Sequence, residues 1–386
     1  MSKILKKSMV SGIALCMMLC MVGCVEKEKA EKVTYDLYNM ADMRYAERYQ
    51  TISLTESGVL YDGNDGLMHL ITIDEGEDII MCYDPNCTHE PATSANPDPK
   101  CMAALFYEKT QTAYYEGHIY FFVNDGAFRH KLYRMKTDGS GRELLAEKIP
   151  FSYKVGYGVV FRNDKMYYTA KIPYTNEQNY NISYMNRLVE FDLIDKTYRF
   201  ITEETADTIL LMHITENYMY MRMSDADDGG RIYYKRTNLN TCEEEIVISA
   251  DVHKNEYVYI RACSDDRFFY IDRMDCDIGI RSVDGEYKEI IVEGAEGERF
   301  SGWERPSGNY MIYQRTIPYE GEAAGYYFLN LATGERVDIT AETEKYSIVD
   351  YDVTYDAFIT RVYDEDAMKF NWGMQSREKI LAEAAK

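Results

Sequence analysis

Three cysteines and one histidine lie within twenty residues of each other in the first third of the chain. They are Cys82, Cys87, His89 and Cys101, in the pattern C-x4-C-x-H-x11-C. Thiolate sulfur and imidazole nitrogen are ligands that zinc prefers, and three cysteines with one histidine complete a tetrahedral site. The loop between His89 and Cys101 contains three prolines and no strand pattern. Because such a loop cannot build a core of its own, these residues are candidate ligands of a structural zinc ion.

The amino terminus has the features of an export signal. Three lysines within the first seven residues precede an apolar run from Met9 to Val22, which is too short and wrongly flanked for a spanning helix. The run ends in Val-Gly-Cys24 and resembles a bacterial lipobox, with Met21 in the place of the usual leucine. We therefore predict a signal peptide over residues 1–23. Lipidation of Cys24 and a charged tether over 24–48 would hold the protein at the outer face of the cell membrane.

Export changes how the cysteine cluster is interpreted. Disulfides are stable in oxidising compartments, so a bridge is an alternative to a metal. Six cysteines follow Cys24, namely Cys82, Cys87, Cys101, Cys242, Cys263 and Cys276. The spacing within the cluster matches no standard zinc finger, and the cluster holds an odd number of thiols. Metal ligation, at least one disulfide, and free thiols all stay open at this point, and each gives the cluster a structural role.

The rest of the chain has the period of two residues that is typical of strands. Short runs rich in Tyr, Ile, Val and Phe follow turn dipeptides such as Glu116-Gly117 and Asn163-Asp164. The repeating unit is strand, turn, strand, turn, strand. Seven strand centres recur about every 40–50 residues, which is typical of a β-propeller. They are Tyr61, Tyr120, Tyr167, Tyr220, Phe269, Ile312 and Phe358.

The spacing predicts an all-β fold, a β-propeller of seven blades over residues 49–375, with the cysteine–histidine insertion at 82–101. Six or eight blades are compatible with the irregular first and last units, and a pair of β-sandwiches is the alternative fold. A strand from Tyr49 to Leu54 is expected to complete the last blade. Residues 376–386 form the clear helix candidate, with Ser376 as its N-cap.

The motifs Ile119-Tyr120-Phe121, Leu132-Tyr133-Arg134-Met135 and Asp138-Gly139-Ser140-Gly141 carry a family resemblance. They resemble the propeller domains of uncharacterised bacterial surface lipoproteins, which are related to TolB-type and LDL-receptor-like propellers. The resemblance spans roughly residues 50–365 and implies the fold and the anchor. A similar cysteine–histidine block recurs in those lipoproteins, and the resemblance implies no known activity.

Composition and charge exclude some classes of partner. A net charge of −22, from 43 basic and 65 acidic residues, argues against a nucleic-acid-binding protein. The sequence contains no P-loop, H-E-x-x-H or G-x-S-x-G motif, and Gly156-Tyr157-Gly158 is only part of a nucleotide fingerprint. No catalytic or cofactor-binding residue can therefore be named.

Two functions remain. The first is a lipoprotein whose propeller binds a protein or carbohydrate ligand, or serves as a scaffold, without chemistry. The alternative is an exported glycoside hydrolase or polysaccharide lyase that uses paired carboxylates in the funnel of the propeller. The absence of catalytic motifs favours the binding module.

Overall fold

The computed structural model of the protein describes residues 52–55, 57–63, 65–72, 77–104, 109–124, 129–150, 159–175, 182–226, 231–251, 258–272, 277–294, 299–300, 305–316, 323–352, 355–364 and 369–386. The predicted signal peptide, Cys24 and the tether lie outside the described residues.

The strands form seven antiparallel sheets, and each sheet uses strands that follow one another in the chain. Blade 1 contains β1 (Ile52–Thr55), β2 (Gly58–Asp62), β3 (Met68–Thr72) and β4 (Asp78–Ile80). Blade 2 contains β5 (Lys109–Tyr115), β6 (His118–Asn124), β7 (Arg129–Lys136) and β8 (Glu143–Pro150). Blade 3 contains β9 (Val159–Arg162), β10 (Lys165–Thr175), β11 (Ile182–Asp192) and β12 (Thr197–Phe200).

The remaining blades continue the same order. Blade 4 contains β13 (Thr208–Ile214), β14 (Tyr218–Ser224), β15 (Arg231–Asn238) and β16 (Glu244–Asp251). Blade 5 contains β17 (Val258–Cys263), β18 (Arg267–Asp272), β19 (Asp277–Ser282) and β20 (Lys288–Val292). Blade 6 contains β21 (Arg299–Phe300), β22 (Arg305–Ser307), β23 (Tyr310–Thr316), β24 (Ala323–Asn330) and β25 (Arg336–Asp338). Blade 7 contains β26 (Ile348–Asp352), β27 (Ala357–Asp364) and β28 (Lys369–Ser376).

The first strands of successive blades lie side by side. In blade 6, β21 and β22 both pair with β23 and together take the place of the first strand. Strand β1 contacts β5, β9 contacts β13, β13 contacts β17, β17 contacts β22, and β22 contacts β26. The first strand is therefore the innermost strand of its blade, and the later strands extend outward. This arrangement is a seven-bladed β-propeller, as the spacing of the strand centres predicted.

The hydrophobic core is divided into layers between neighbouring blades. Phe121 of blade 2 packs with Leu60 of blade 1, and Phe122 packs with Val189 of blade 3. Tyrosines supply much of this packing, and Tyr168, Tyr220 and Tyr313 are almost completely buried. Most of the abundant tyrosine in the described core therefore serves blade packing, where its broad ring suits a half-polar sheet surface.

The repeating unit has one more strand than the sequence indicated. The strands centred on Tyr120, Tyr167 and Tyr220 are the second strands of their blades, not the first. Several innermost strands carry a β-bulge, for example between Leu211 and His213 in β13. A bulge interrupts the period of two, so the innermost strands lack the pattern by which strands are recognised.

We predicted that a strand from Tyr49 to Leu54 completes the last blade. For residues 52–54, the part of this strand that the structure describes, the prediction was wrong. Residues 52–55 form β1, which pairs with β2 in the first blade. The sequence pattern did not reveal the innermost strand of each blade, so each blade begins one strand earlier than that pattern indicated. In the described residues blade 7 has three strands, and a helix follows the third.

Among the described residues, two short helices accompany blades 6 and 7. The unpredicted helix α1 (Thr340–Tyr346) connects these blades, and α2 (Arg377–Ala384) is the predicted C-terminal helix. Ser376 caps α2 by accepting a hydrogen bond from the Lys379 N–H, and Ile380 is fully buried against blades 6 and 7. Neither helix has the length or the apolar character needed to cross a bilayer, and this holds for every helix among the described residues.

Candidate metal centre

The structure brings the four predicted ligand residues together. Cys82, Cys87, His89 and Cys101 all lie on the connection between β4 of blade 1 and β5 of blade 2. Their ligand atoms lie within 4.8 Å of one another. Cys101 is buried, and the other three are half-buried. One loop therefore presents three sulfurs and an imidazole to a single point.

The distances fit a tetrahedral metal site. With metal–ligand bonds of about 2.0–2.3 Å, the ligand atoms of a tetrahedral zinc site are roughly 3.6 Å apart. The Cys101 Sγ atom lies 3.7 Å from Nδ1 of His89. The five described cysteines are all free thiols. The cluster can hold a metal ion, and four protein ligands would leave no open coordination position, as in structural rather than catalytic sites.

Each of the three sulfurs also receives at least one backbone hydrogen bond. The N–H of His89 donates to the Cys87 sulfur at 3.4 Å. Backbone hydrogen bonds also reach Cys82 from Asp84 and Met102, and Cys101 from Ala103 and Ala104. Hydrogen bonds of this kind favour the thiolate, which is the form of cysteine that binds metal.

Burial and hydrogen bonding act in opposite directions on these thiols. Burial raises the pKa of Cys82, but the backbone hydrogen bonds from Asp84 and Met102 lower it, and the net pKa is below the ordinary value. At Cys101 burial dominates and raises the pKa to about 11. Without a metal, the buried Cys101 thiol therefore resists ionisation. A cation would be needed to stabilise its thiolate.

The local sequence explains the shape of the loop. The Asp84 carboxylate accepts a hydrogen bond from the Asn86 N–H at 2.9 Å, and its carbonyl accepts from the Cys87 N–H at 3.1 Å. His89 has a positive φ of 53°, a left-handed conformation that histidine adopts more readily than most residues. The two turns fold the Cys87–His89 segment back towards Cys82.

The loop is anchored in the core between blades 1 and 2. Cys101, Ala103 and Ala104 pack with apolar residues of both blades. The Ala103 carbonyl accepts a hydrogen bond from the Met68 N–H at 2.8 Å at the beginning of β3. The candidate metal centre is therefore part of the interface between two blades, not an appended surface loop.

The other cysteines lie apart from the cluster. Cys242 is exposed, and Cys263 is buried on the innermost strand β17. Burial raises the pKa of Cys263 well above its usual value, so it behaves as a packed neutral thiol. Cys276 and Cys24 lie outside the described residues.

The structure places two carboxylates on the innermost strands, among the residues that it describes. They are Asp350 and Asp352 on β26, and both are almost completely buried. The Asp350 carboxylate accepts a hydrogen bond from the Tyr351 N–H, and the Asp352 carboxylate accepts one from the Tyr355 N–H. Sequence reasoning could not single out this pair among 65 acidic residues, because the innermost strands were not recognised.

A polar cluster in blade 1 was also missed. His69 lies between two carboxylates, with Nδ1 2.9 Å from Asp78 and Nε2 3.0 Å from Asp65. The Tyr61 hydroxyl donates to Asp78 at 2.8 Å. Burial lowers the pKa of His69, but the hydrogen bonds to Asp78 and Asp65 raise it above its usual value. No standard motif has this spacing, so the sequence carried no signal for it.

Comparisons by sequence gave no match: no protein-family model and no curated protein matches the chain. Comparison of the structure gave matches at low identity. A puromycin hydrolase is 12% identical with a TM-score of 0.55, over 89% of this chain and 54% of that one. A puromycin-hydrolysing peptidase of Mycobacterium tuberculosis is 9% identical with a TM-score of 0.50, over 84% of this chain and 50% of that one.

A third match has similar length. An oligogalacturonate lyase of Vibrio parahaemolyticus is 12% identical with a TM-score of 0.46, over 86% of both chains. This chain spans about half the length of the two peptidases. At such identities the two peptidase matches support the overall fold alone. The number of blades follows from the seven sheets of this structure.

Proposed function

We propose that this protein is a lipid-anchored surface propeller, related to TolB-type and LDL-receptor-like propellers, that binds a protein or carbohydrate ligand. In this proposal Cys24 carries the lipid at the outer face of the cell membrane. A zinc ion held by Cys82, Cys87, His89 and Cys101 stabilises the insertion between blades 1 and 2. The propeller itself performs no chemistry.

The observation that carries the binding role is a repeated hydrogen bond that fixes the turns on one face of the ring. In blades 3 to 7 a backbone N–H that follows the third strand donates to a carbonyl in the turn after the first strand. With the N–H donor first and the carbonyl acceptor second, the pairs are Leu193 to Asp164, Leu239 to Asn217, Val283 to Asp266, Leu331 to Asn309, and Arg377 to Asp356. In these antiparallel blades both turns lie at the same end of the strands.

Further hydrogen bonds connect turns of neighbouring blades. The Tyr220 hydroxyl of blade 4 donates to the Ser264 carbonyl of blade 5 at 2.8 Å. The Asp265 carboxylate of blade 5 accepts from the Asn217 N–H of blade 4 at 3.2 Å. A surface whose loops are already fixed loses little conformational entropy when it binds, which is an advantage for a recognition module.

The anchor is tested by fractionating cells that express the wild type and the Cys24→Ala variant. We expect the wild type in the membrane fraction, with a lipid on the mature amino terminus by mass spectrometry. The Cys24→Ala variant should lose the lipid. Cys20→Ala, inside the predicted leader, is the matched control and should leave lipidation unchanged. A wild-type protein without lipid would contradict the anchor.

The binding role is tested by a thermal-shift panel of oligosaccharides, cell-wall fragments and peptides. A ligand at 100 times its Kd raises the stability by about 2.7 kcal/mol. We expect stabilisation without release of products. Time-dependent cleavage of a polysaccharide that Asp350→Asn abolishes would contradict the binding role and favour the alternative of an exported hydrolase or lyase.

A further inference from the structure

A buried arginine of blade 2 reaches into the insertion from outside it. Arg142 lies at the end of the turn between β7 and β8, and its side chain is only 11% exposed. Its Nη2 donates to the carbonyl oxygens of Met102 at 3.1 Å and Ala104 at 3.3 Å. Its Nη1 lies 3.4 Å from a carboxylate oxygen of Asp98. The guanidinium thus binds the chain both before and after Cys101.

One of these hydrogen bonds connects Arg142 to a candidate ligand atom through a single peptide unit. The carbonyl of Met102 and the N–H of Ala103 belong to the same peptide unit. Arg142 donates to the Met102 oxygen of that unit. The Ala103 N–H of the same unit hydrogen-bonds the Cys101 sulfur. Because the peptide unit is planar, holding its oxygen fixes the direction of its N–H. A cation at the oxygen also polarises the unit and strengthens the N–H as a donor.

The arginine is itself held in place. Its guanidinium carbon lies 5.9 Å from the centre of the Phe121 ring, which is fully buried between blades 1 and 2. Arginine can make several directed hydrogen bonds from one planar group, whereas lysine offers a compact charge without this fork. The site therefore uses the geometry of arginine as well as its charge.

We propose that Arg142 is a positioning residue of the metal centre, which orients the Cys101 turn through the Met102–Ala103 peptide. This inference rests on the proposed metal site. Residues that orient metal ligands typically contribute roughly 10–100-fold to metal affinity. Arg142 does so from a different blade, so the ligand loop acquires its final geometry only when blade 2 packs against it.

The experiment measures zinc affinity by chelator competition in the full chain for the wild type and Arg142→Lys. We expect roughly 10–100-fold weaker binding in Arg142→Lys. The bound Co²⁺ spectrum reports the coordination geometry, and we expect its thiolate bands to shift in the variant. Arg134→Lys is the matched control, since Arg134 pairs with Glu143 in the same blade, and its zinc affinity should equal that of the wild type.

A second control separates positioning from general loss of stability. Ile380→Ala removes a buried side chain in the core of blades 6 and 7 and should lower the Tm without changing zinc affinity. If Arg142→Lys does not fold, Asp98→Asn provides the same test, because Asp98 pairs with Arg142 from an exposed position. Loss of the Asp98 carboxylate should weaken zinc binding by a smaller factor than loss of the guanidinium.

The outcomes are distinct. Tight zinc binding by the wild type with equal affinity and spectrum in Arg142→Lys would overturn the role of Arg142 and leave the metal centre standing. Equal weakening in Ile380→Ala would also overturn it, because the effect would then follow stability. A wild type that binds no zinc or cobalt would overturn the metal centre together with this inference.

Discussion

The candidate metal centre contains two kinds of group: four side chains that can bind a metal ion, and backbone N–H groups that hydrogen-bond the cysteine sulfurs. Cysteine and histidine side chains within a short loop identified all four candidate ligands. The N–H groups that reach the sulfurs of Cys82 and Cys101 depend on turn geometry, which has no sequence signature here. Arg142 was missed for a related reason, since it lies 41 positions after Cys101 and approaches through the fold.

His69 provides a prediction about pH. Its pKa is raised in the folded protein, so its contribution to stability is fully present below the unfolded pKa near 6.5 and is lost as pH rises through the folded pKa. His69→Gln should therefore lower the free energy of unfolding by roughly 1 kcal/mol at pH 6 and by less at pH 9. Urea denaturation at the two pH values measures this difference.

His118→Gln is the control for the His69 variant, because the ring of His118 contacts the carbonyl of Glu116 rather than a carboxylate. An equal loss of stability in His69→Gln at both pH values would contradict the assigned carboxylate pairing.

At the scale of elements, sequence patterns predicted the outer strands better than the inner ones. The second strands of the blades begin after recognisable turns, as at Glu116-Gly117 before β6, where φ is positive at both residues. Several innermost strands are bulged, and α1 is short and polar. The structure of these elements depends on packing between blades, which a local pattern does not encode.

The turn between β7 and β8 offers a prediction with an internal control. Gly139 and Gly141 both have positive φ, 82° and 67°. A Cβ at position 139 would lie 2.5 Å from the Met81 carbonyl oxygen, whereas one at 141 meets nothing within 4 Å. Gly141→Ala should cost about 1 kcal/mol through backbone strain alone, and Gly139→Ala should cost clearly more.

Thermal denaturation of the two glycine variants measures the difference. Equal losses would contradict the close approach of this turn to the beginning of the cysteine–histidine insertion.

The Asp265 turn tests the connection between blades 4 and 5. Its carboxylate accepts hydrogen bonds from Thr215 and Asn217 of the neighbouring blade. Burial raises the pKa of Asp265, but these hydrogen bonds lower it below its usual value. Asp265→Asn should therefore lower the free energy of unfolding by roughly 1–3 kcal/mol at pH 7.

The loss in Asp265→Asn should diminish as pH falls from the unfolded pKa near 3.9 through the lower folded pKa, because the unfolded carboxylate takes up a proton before the folded one does. Asp284→Asn is the control, since Asp284 accepts hydrogen bonds within a single turn, from Ser282 and Glu286. A loss in Asp284→Asn as large as in Asp265→Asn would contradict a special role of the contact between blades. Chemical denaturation across the pH range measures both variants.

At the scale of the whole molecule, the number of blades was predicted correctly from seven strand centres. The boundaries of each blade were not, because an unrecognised innermost strand shifts every blade by one strand. The cysteine–histidine insertion interrupts the pattern of strands and turns and forms part of the core between blades 1 and 2.

Removal of the metal should therefore destabilise the whole ring. We expect a chelator to lower the Tm of a single cooperative transition, since the insertion shares a core with two blades. Near-ultraviolet circular dichroism and amide hydrogen exchange of blade 5 report on regions away from the insertion. A chelator effect confined to residues 81–104, with unchanged stability elsewhere, would contradict this coupling.

The central claim, that the cluster is a metal centre, is tested most directly by native mass spectrometry of the purified full chain. We expect one bound zinc ion, which is lost in Cys101→Ser and retained in Cys242→Ser, because Cys242 is an exposed thiol outside the cluster. A metal-free chain whose mass is lower by the two hydrogens of a disulfide would contradict the claim.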